Sequence, residues 1–549
     1  MKFSADTLDS VLHERARLHP DRPALVSPAG DVVTYDELRI LAEQLTSQLR
    51  RIGVTAGDRI VVQLPNLMEF TLLIFALVRM RAIPVLALPA HRKNEVSHLC
   101  RMTDAVGYVI PDRHMGFEFS ELADSVRAEN PNLRHVLIAT GGNRPWHSLD
   151  ETFLLRDGTP LSEAAGNWPD NASEAPGSSR PDGAETALLL LSGGTTGLPK
   201  LIARTHRDYA YNIRHSAAVC GLDQDSVYLT ALPAAHNFAL GCPGVLGTLA
   251  AGGKVVLAED ATPARTFPLI ERERVTVTAL TPPLLKLWLD EAAWTEHDLS
   301  SLALLQVGGA RLSRADAERV GPELGCRLQQ VFGMAEGLLC FTRADDPEDI
   351  VLSTQGRPLS GDDELRVVDG DEREVAPGEV GHLLVRGPYT VRGYYRAPEY
   401  DAIAFTSDGF YRTGDLVRIT PTGHVIVEGR IKDVINRGGE KVPATEVESH
   451  LAEHTRVAEV AVVGMPDPLL GERTCTYVVP RAEPPTLREL NGFLRERGLA
   501  AHKLPDRLEI VATLPRTGAG KVDKRELAED VAARLCAERD ARRRTAASL

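Results

Sequence analysis

From Asp58 onward the chain alternates between two textures, and this alternation restricts its fold more than any other feature. Short apolar runs at 58–64 (DRIVVQL), 83–88 (IPVLAL), 106–110 (VGYVI) and 135–140 (HVLIAT) are separated by helix-length stretches at 66–81 and 94–104. Strands that are apolar at nearly every position must be covered on both faces. The runs therefore predict parallel sheets packed between helices, a doubly wound α/β architecture. The pattern resumes at 227–233 (VYLTALP), 254–258 (KVVLA), 275–282 (VTVTALTP) and 302–310 (LALLQVGGA). Ahead of it, residues 1–50 predict two amphipathic helices around a turn at Pro23–Gly30. Residues 165–186, rich in Pro, Gly, Ser and Asn, predict a mobile surface loop.

After about residue 360 the texture changes. Short strands at 363–369, 381–387 and 424–430, joined by Gly and Pro turns such as Thr422–Gly423, predict a small antiparallel sheet or β-barrel-like region. Residues from about 432 carry their own order of helix, strand, strand, helix, strand at 447–454, 458–466, 474–480, 487–498 and 508–515. They end in a basic tail (541–549) expected to fray. A chain of 549 residues is too long for one core. The expected organisation is a large N-terminal α/β domain, 1–431, and a small α+β C-terminal domain, 432–549, joined near Arg430–Asp433. No internal repeat is evident.

One loop interrupts the first series. In LLLLSGGTTGLPKLIART (188–205) an apolar strand runs into Ser192, Gly193, Gly194, Thr195, Thr196 and Gly197, then Pro199 and Lys200. Three glycines let backbone N–H groups converge, and two hydroxyls and an ammonium add donors and charge, which suits a nucleotide polyphosphate. It is not a Walker loop, because Leu201 follows Lys200 where that motif has Ser or Thr.

Lys plus Arg number 62 against 76 Asp plus Glu, a net charge of −14, which argues against nonspecific nucleic-acid binding. The seven cysteines (100, 220, 242, 326, 340, 475, 536) have no paired spacing. They predict neither a disulfide framework nor a zinc site and fit a reducing cytoplasm. The longest apolar run, Phe70–Val78, is too short to span a bilayer, and no signal-peptide core is seen at the N-terminus, so a soluble protein without membrane association is expected.

Six further segments set polar residues in glycine-rich turns: 231–244 (ALPAAHNFALGCPG), 306–310 (QVGGA), 329–337 (QQVFGMAEG), 411–416 (YRTGDL), 429–442 (GRIKDVINRGGEKV) and 515–521 (PRTGAGK). With SGGTTGLPK, in this order and spacing, they resemble the adenylate-forming (ANL) superfamily of acyl- and aryl-CoA synthetases, nonribosomal peptide adenylation domains and luciferases. The runs RTHRDYAYN, LPAAHNFAL, GMAEGL, INRGGEKV and FLRERGLAAHKLPDR are similar to those of the stand-alone aryl acid–AMP ligases of siderophore pathways. Those enzymes activate salicylate or 2,3-dihydroxybenzoate with ATP and Mg2+ and load it onto an aryl carrier protein.

The resemblance implies a role for each matching residue. Ser192, Gly193, Gly194, Thr195, Thr196, Gly197 and Lys200 would hold the ATP phosphates, and Glu336 the magnesium ion. Gly309, Ala310 and Phe332 would form the adenine slot. Asp415 would accept from the ribose hydroxyls, and Arg430 would bind the ribose or α-phosphate side. Lys521 would be the catalytic lysine, reaching the carboxylate and α-phosphate oxygens as charge redistributes. His236 would be the second catalytic residue, set against the acid site and moving between the two steps; it is not expected to be a metal ligand, since no second His or Cys stands at ligand spacing. Asn237, Phe238, Cys242, Gly308 and Leu339 would line the aryl-acid pocket. Lys432 would be the hinge about which a mobile C-terminal domain rotates between half-reactions, bringing the face with Gly438 and Gly439 to the thiol.

Cys242 and Leu339 stand where 2,3-dihydroxybenzoate enzymes tend to have Ser and Val. That points to salicylate as the favoured aryl acid and to a phosphopantetheinylated aryl carrier protein as the partner. Two rival readings stay open at this level: an aryl-CoA ligase, and a relative that binds acyl adenylates without turnover, against which the retention of Lys200, Glu336, Asp415 and Lys521 speaks.

Overall fold

The structure is a computed structural model. It describes residues 7–140, 152–155, 159–164, 180–192, 200–430, 433–437, 440–467, 470–497, 499, 501–517 and 520–547. The chain divides into two compact units. The first holds the described residues up to 192 together with 200–364 and 385–411; the second holds 365–384 and the described residues from 412 onward.

Two sheets build the first unit. One has seven strands in the order Leu201–Thr205, Thr186–Leu191, Ile83–Leu86, Arg59–Val62, Gly107–Pro111, His135–Ala139 and Phe153–Leu155. Its middle strands pair parallel, and an antiparallel strand closes each edge. The other has nine strands: Arg357–Pro358, Leu339–Phe341, Arg327–Gly333, Leu304–Gly308, Val277–Leu280, Val227–Thr230, Lys254–Leu257, Pro23–Val26 and Val32–Thr34. Six of these form a continuous parallel run from Arg327–Gly333 to Pro23–Val26. The apolar strands lie in separate buried cores, one around Trp288 and Phe267 and one around Tyr108 and Phe119. This is the doubly wound architecture the strand texture predicts. The expected helices at 66–81 and 94–104 appear as Met68–Arg79 and Lys93–Thr103.

Local chemistry explains several boundaries. Helix His206–Val219 starts at a capping box, with the Thr205 side chain accepting from Asp208 N and the Asp208 carboxylate accepting from Thr205 N at 2.7 Å. Such a cap contributes about 1 kcal/mol. It sets the helix directly behind the strand that leaves the phosphate-loop segment.

Four local expectations need correction. The segment expected to be a turn at Pro23–Gly30 contains strand Pro23–Val26, whose Ala-Leu-Val run is buried and pairs parallel with Lys254–Leu257. The glycine-rich stretches at 411–416 and 434–442 belong to strands, Tyr411–Ile419 for the first and the hairpin Val434–Arg437 with Glu440–Pro443 for the second. Residues 541–547 of the basic tail continue helix Lys524–Ala547, as a sequence rich in Ala, Arg and Glu allows. Thr186, placed by sequence in a loop, opens a strand; most of that loop, 165–179, lies outside the described residues.

A four-stranded sheet, Glu364–Val368, Gly381–Arg386, Tyr411–Ile419 and Val425–Arg430, has most of its residues in the second unit. The rest of that unit is a five-stranded sheet in which the long hairpin Val457–Asp467 and Gly471–Pro480 pairs on one side with Val434–Arg437 and, through Gly471–Pro480, in parallel with Arg507–Ile510. Two small cores, around Leu490 and around Tyr477, lie in it. All seven cysteines are free, six of them buried, and among the described residues no helix is long and apolar enough to cross a membrane.

Candidate active site

The expected acid-pocket residues converge at the carboxyl ends of parallel strands in the first unit, the end at which open α/β sheets bind ligands. Helix Asn237–Gly241 follows strand Val227–Thr230 and is capped by His236, whose Nδ1 accepts from Phe238 N at 3.2 Å. Phe238, Cys242 and Leu339 belong to one buried cluster with Val331 and Tyr389. Gly308 ends strand Leu304–Gly308. A Cβ there would lie 2.7 Å from Val331 O and 3.2 Å from Phe238 Cζ, so only glycine lets the ring come this close. Asn237 Oδ1 accepts from the Tyr209 hydroxyl at 2.8 Å, and its Nδ2 donates toward Cys242 Sγ at 3.5 Å. The Cys242 thiol, pushed up to about 12 by burial, remains neutral. Next to Leu339, Cys340 is the register partner of Phe332, so the acid and adenine candidates share one strand pair. Gly309 turns away from the sheet with φ +86°, and Ala310 is exposed.

A second cluster in the same unit joins two phosphate-side candidates through a tyrosine. Tyr394 donates its hydroxyl to Glu336 Oε1 at 2.8 Å and is 2.9 Å from the Tyr411 hydroxyl. Burial and the neighbouring Glu336 carboxylate hold the Tyr394 phenol protonated, far above its ordinary range. Lys200 Nζ sits 3.1 Å from the centroid of the Tyr400 ring and 5.7 Å from that of Tyr394, a cation–π arrangement. Glu336 is 6% exposed. The adjacent Gly337 is pressed against Thr390, whose Cα would be 2.6 Å from an added Cβ. Ser192 and Lys200 close the base of their loop, with Ser192 N donating to Lys200 O at 2.9 Å and Lys200 N to Ser192 Oγ at 3.1 Å.

The second unit assembles the other three nucleotide-side candidates. Asp415 and Arg430 are direct register partners on antiparallel strands, and Arg430 Nε donates to Asp415 Oδ1 at 2.9 Å. Burial pushes the Asp415 carboxyl up, and the charges of Arg430 and Lys521 pull it back toward ionisation. Lys521 closes a tight turn: its carbonyl accepts from Thr517 N at 2.7 Å, and the bridge between Arg516 and Val522 flanks it. Gly193, Gly194, Thr195, Thr196, Gly197, Lys432, Gly438 and Gly439 lie outside the described residues.

Three supporting residues are not singled out by the sequence reading. Arg204 is fully buried, donating to Asp208 Oδ1 at 2.7 Å, Ala335 O at 2.9 Å and Tyr389 O at 3.3 Å, and so ties the segment carrying Glu336 to the helix behind it. Asn66 braces the segment leading to His236: its Nδ2 donates to Thr230 O, Leu232 O and Ala258 O, and its Oδ1 accepts from Ala234 N at 2.8 Å. Tyr209 anchors Asn237. Arg204 and Tyr209 stand inside RTHRDYAYN, where an arginine next to a capping box reads as a surface residue. Asn66 has no local sequence signal beyond following a strand.

The chain matches the family described as AMP-binding enzyme over residues 12–395, and the family described as AMP-binding enzyme C-terminal domain over residues 446–521. It is 50% identical over 535 residues to the 2,3-dihydroxybenzoate-AMP ligase of Bacillus subtilis, covering 97% of this chain and 95% of that one. It is 47% identical over 530 residues to the salicyl-AMP ligase / salicyl-S-ArCP synthetase of Mycobacterium tuberculosis, covering 96% and 91%. The apo structure of Mycobacterium smegmatis MbtA is similar at a TM-score of 0.70 with 44% identity, covering 96% of this chain and 95% of that one. The chain therefore belongs to the AMP-binding enzyme family and is an ATP-dependent, adenylate-forming ligase.

Proposed function

We propose that this aryl acid–AMP ligase activates salicylate ahead of 2,3-dihydroxybenzoate and then acylates the phosphopantetheine thiol of an aryl carrier protein. A carboxylate oxygen of the acid attacks the α-phosphorus of ATP and pyrophosphate leaves. The thiol sulfur then attacks the acyl carbon and AMP leaves. The first step needs positioning and charge neutralisation more than covalent help. Lys521 supplies positive charge at the reacting oxygens, Lys200 and the 192–197 loop take the β- and γ-phosphates, Asp415 accepts from the ribose hydroxyls, and Arg430 lies toward the ribose and α-phosphate. Gly309, Ala310 and Phe332 take the adenine. His236 lies beside the acid carboxylate.

Magnesium fits this site. Among the described residues no three His, Cys, Asp or Glu side chains gather as a metal centre. An ion held by one carboxylate plus nucleotide oxygens suits Mg2+, which keeps few protein ligands. Glu336, whose Oε1 accepts from the Tyr394 hydroxyl, would be that carboxylate, and the ion would neutralise phosphate charge. The functional division at 431/432, with Lys432 as hinge of a mobile C-terminal domain, rests on the family resemblance, as does the cytoplasmic setting on the cysteine usage.

The observation that carries the salicylate reading is the Asn237–Cys242–Leu339 end of the pocket. It brings together one amide held by Tyr209 and Cys242, one neutral thiol and a buried leucine, and the thiol is a poorer partner for a 3-hydroxyl than a serine hydroxyl would be. To test the reading, the purified ligase is given ATP, salicylate and either holo aryl carrier protein or CoA, and the thioester is followed by mass spectrometry. The expected result is faster acylation of the carrier protein; preferential formation of salicyl-CoA would overturn the transfer assignment in favour of an aryl-CoA ligase.

A further inference from the structure

We infer that Tyr209 is a positioning residue for acid selection: its hydroxyl fixes the Asn237 amide so that an N–H is offered to an acceptor at the ortho position of a benzoic acid. The inference rests on the reading of Asn237 as an acid-binding residue. Tyr209 lies on helix His206–Val219 and is fully buried. A buried phenol needs a partner, and among the described residues its one hydrogen bond is to Asn237 Oδ1, at 2.8 Å. Burial raises the phenol well above its ordinary range, so it stays a donor.

The hydroxyl has little room to swing away. The Arg204 guanidinium lies 4.9 Å over the Tyr209 ring centroid, and a Cβ on Gly241 would lie 2.5 Å from the hydroxyl oxygen. The same helix face fastens the far end of the Asn237 turn. Asn212 Nδ2 donates to Gly241 O at 2.6 Å, and Ser216 Oγ, whose closest acceptor is Asn212 O at 2.8 Å, lies 3.3 Å from the same Gly241 oxygen. Positions 209, 212 and 216 share one face of the helix, which therefore serves as a rigid backing for 237–242.

The consequence is chemical. With Oδ1 accepting from Tyr209, the amide end left for a ligand is Nδ2, which has two hydrogens. One points to Cys242 Sγ at 3.5 Å, while the Cys242 thiol itself donates to Asn237 O at 3.3 Å. Among the described residues the other has no protein acceptor, which leaves it for an acceptor on the acid. A 2-hydroxybenzoate donates its hydroxyl hydrogen internally to its own carboxylate, leaving the phenolic oxygen as an outward acceptor. Benzoate has no such group. Without the Tyr209 hydroxyl the Asn237 amide can turn over and present its carbonyl.

The test is pyrophosphate exchange by Tyr209→Phe with salicylate and with benzoate. For salicylate, kcat/KM should fall about ten-fold, the worth of one buried hydrogen bond, chiefly through KM. For benzoate it should change less than about two-fold, with KM for ATP unaltered. Adding Tyr209→Phe to Asn237→Ala should cost nothing further, because the hydroxyl acts through that amide. Equal losses on both acids, no loss on salicylate, a further loss in the Asn237→Ala background, or failure of Tyr209→Phe to fold would each overturn the inference. Should the unaltered enzyme exchange pyrophosphate with neither acid, the functional reading fails and this inference with it; exchange with salicylate but no acid-selective effect removes this inference alone.

Discussion

Replacing Cys242 by Ser and Leu339 by Val together should move acid preference toward 2,3-dihydroxybenzoate. Cys242 is 2% exposed and its sulfur is held between the backbone carbonyl and side-chain amide of Asn237 at 3.3 and 3.5 Å. A serine hydroxyl fills less space, keeps the donor to Asn237 O and can accept from a ring hydroxyl far better than sulfur. Leu339 is equally buried, and its Cδ2 packs so close to Gly333 that an added Cβ there would be 2.4 Å away. Shortening it by one methylene costs roughly 0.5–1.5 kcal/mol of stability and opens about a methyl group of volume. A buried 3-hydroxyl that gains its partner is worth about 1–3 kcal/mol over one left unmet, or roughly 5- to 150-fold in the ratio of kcat/KM values. The unaltered enzyme should still accept 2,3-dihydroxybenzoate, since an apolar pocket rejects an added hydroxyl by only about 10². The assay is pyrophosphate exchange with both acids for both proteins. A wild-type preference for 2,3-dihydroxybenzoate, or an unchanged ratio in the double variant, would refute the reasoning.

Three further outcomes are expected. Lys521→Ala should lower adenylation by about 10²–10³ while acyl transfer from presupplied salicyl adenylate is largely retained; equal loss in both half-reactions would remove the lysine from the first step. Lys432→Pro, which fixes φ at the proposed hinge, should damage one half-reaction far more than the other when the two are timed separately, and uniform damage would place the hinge elsewhere. Asp363 accepts from Tyr389 and from Ser360 N, and burial pushes its carboxyl up to about 6. Its folded state therefore holds a proton that the unfolded chain, titrating near 3.8, has released. The stability it contributes is complete below that unfolded value and is lost as pH rises through about 6. Melting temperatures measured from pH 4 to 7 should fall more steeply for the wild type than for Asp363→Asn, and parallel curves would contradict the assignment.

The parallel strands were legible because burial on both faces leaves an unmistakable apolar run, and the site motifs because phosphate and acid binding demand unusual glycine and hydroxyl densities. What sequence misread was short or polar. Ala-Leu-Val at 24–26 is too brief to separate from a turn. The Asp415 strand was hidden by its glycine, although the register that opposes Asp415 to Arg430 is what brings those two candidates together. The supporting residues were invisible for a different reason. Arg204, Asn66 and Tyr209 act through carbonyls and amides more than twenty positions away, and no local pattern marks a side chain whose partners are supplied by tertiary packing.

Pyrophosphate exchange dependent on the acid tests the central claim most directly. With ATP, Mg2+ and labelled pyrophosphate, the enzyme should form labelled ATP rapidly with salicylate, more slowly with 2,3-dihydroxybenzoate and not at all without an acid. Exchange with no hydroxylated benzoic acid, or only with non-aromatic carboxylic acids, would contradict the account.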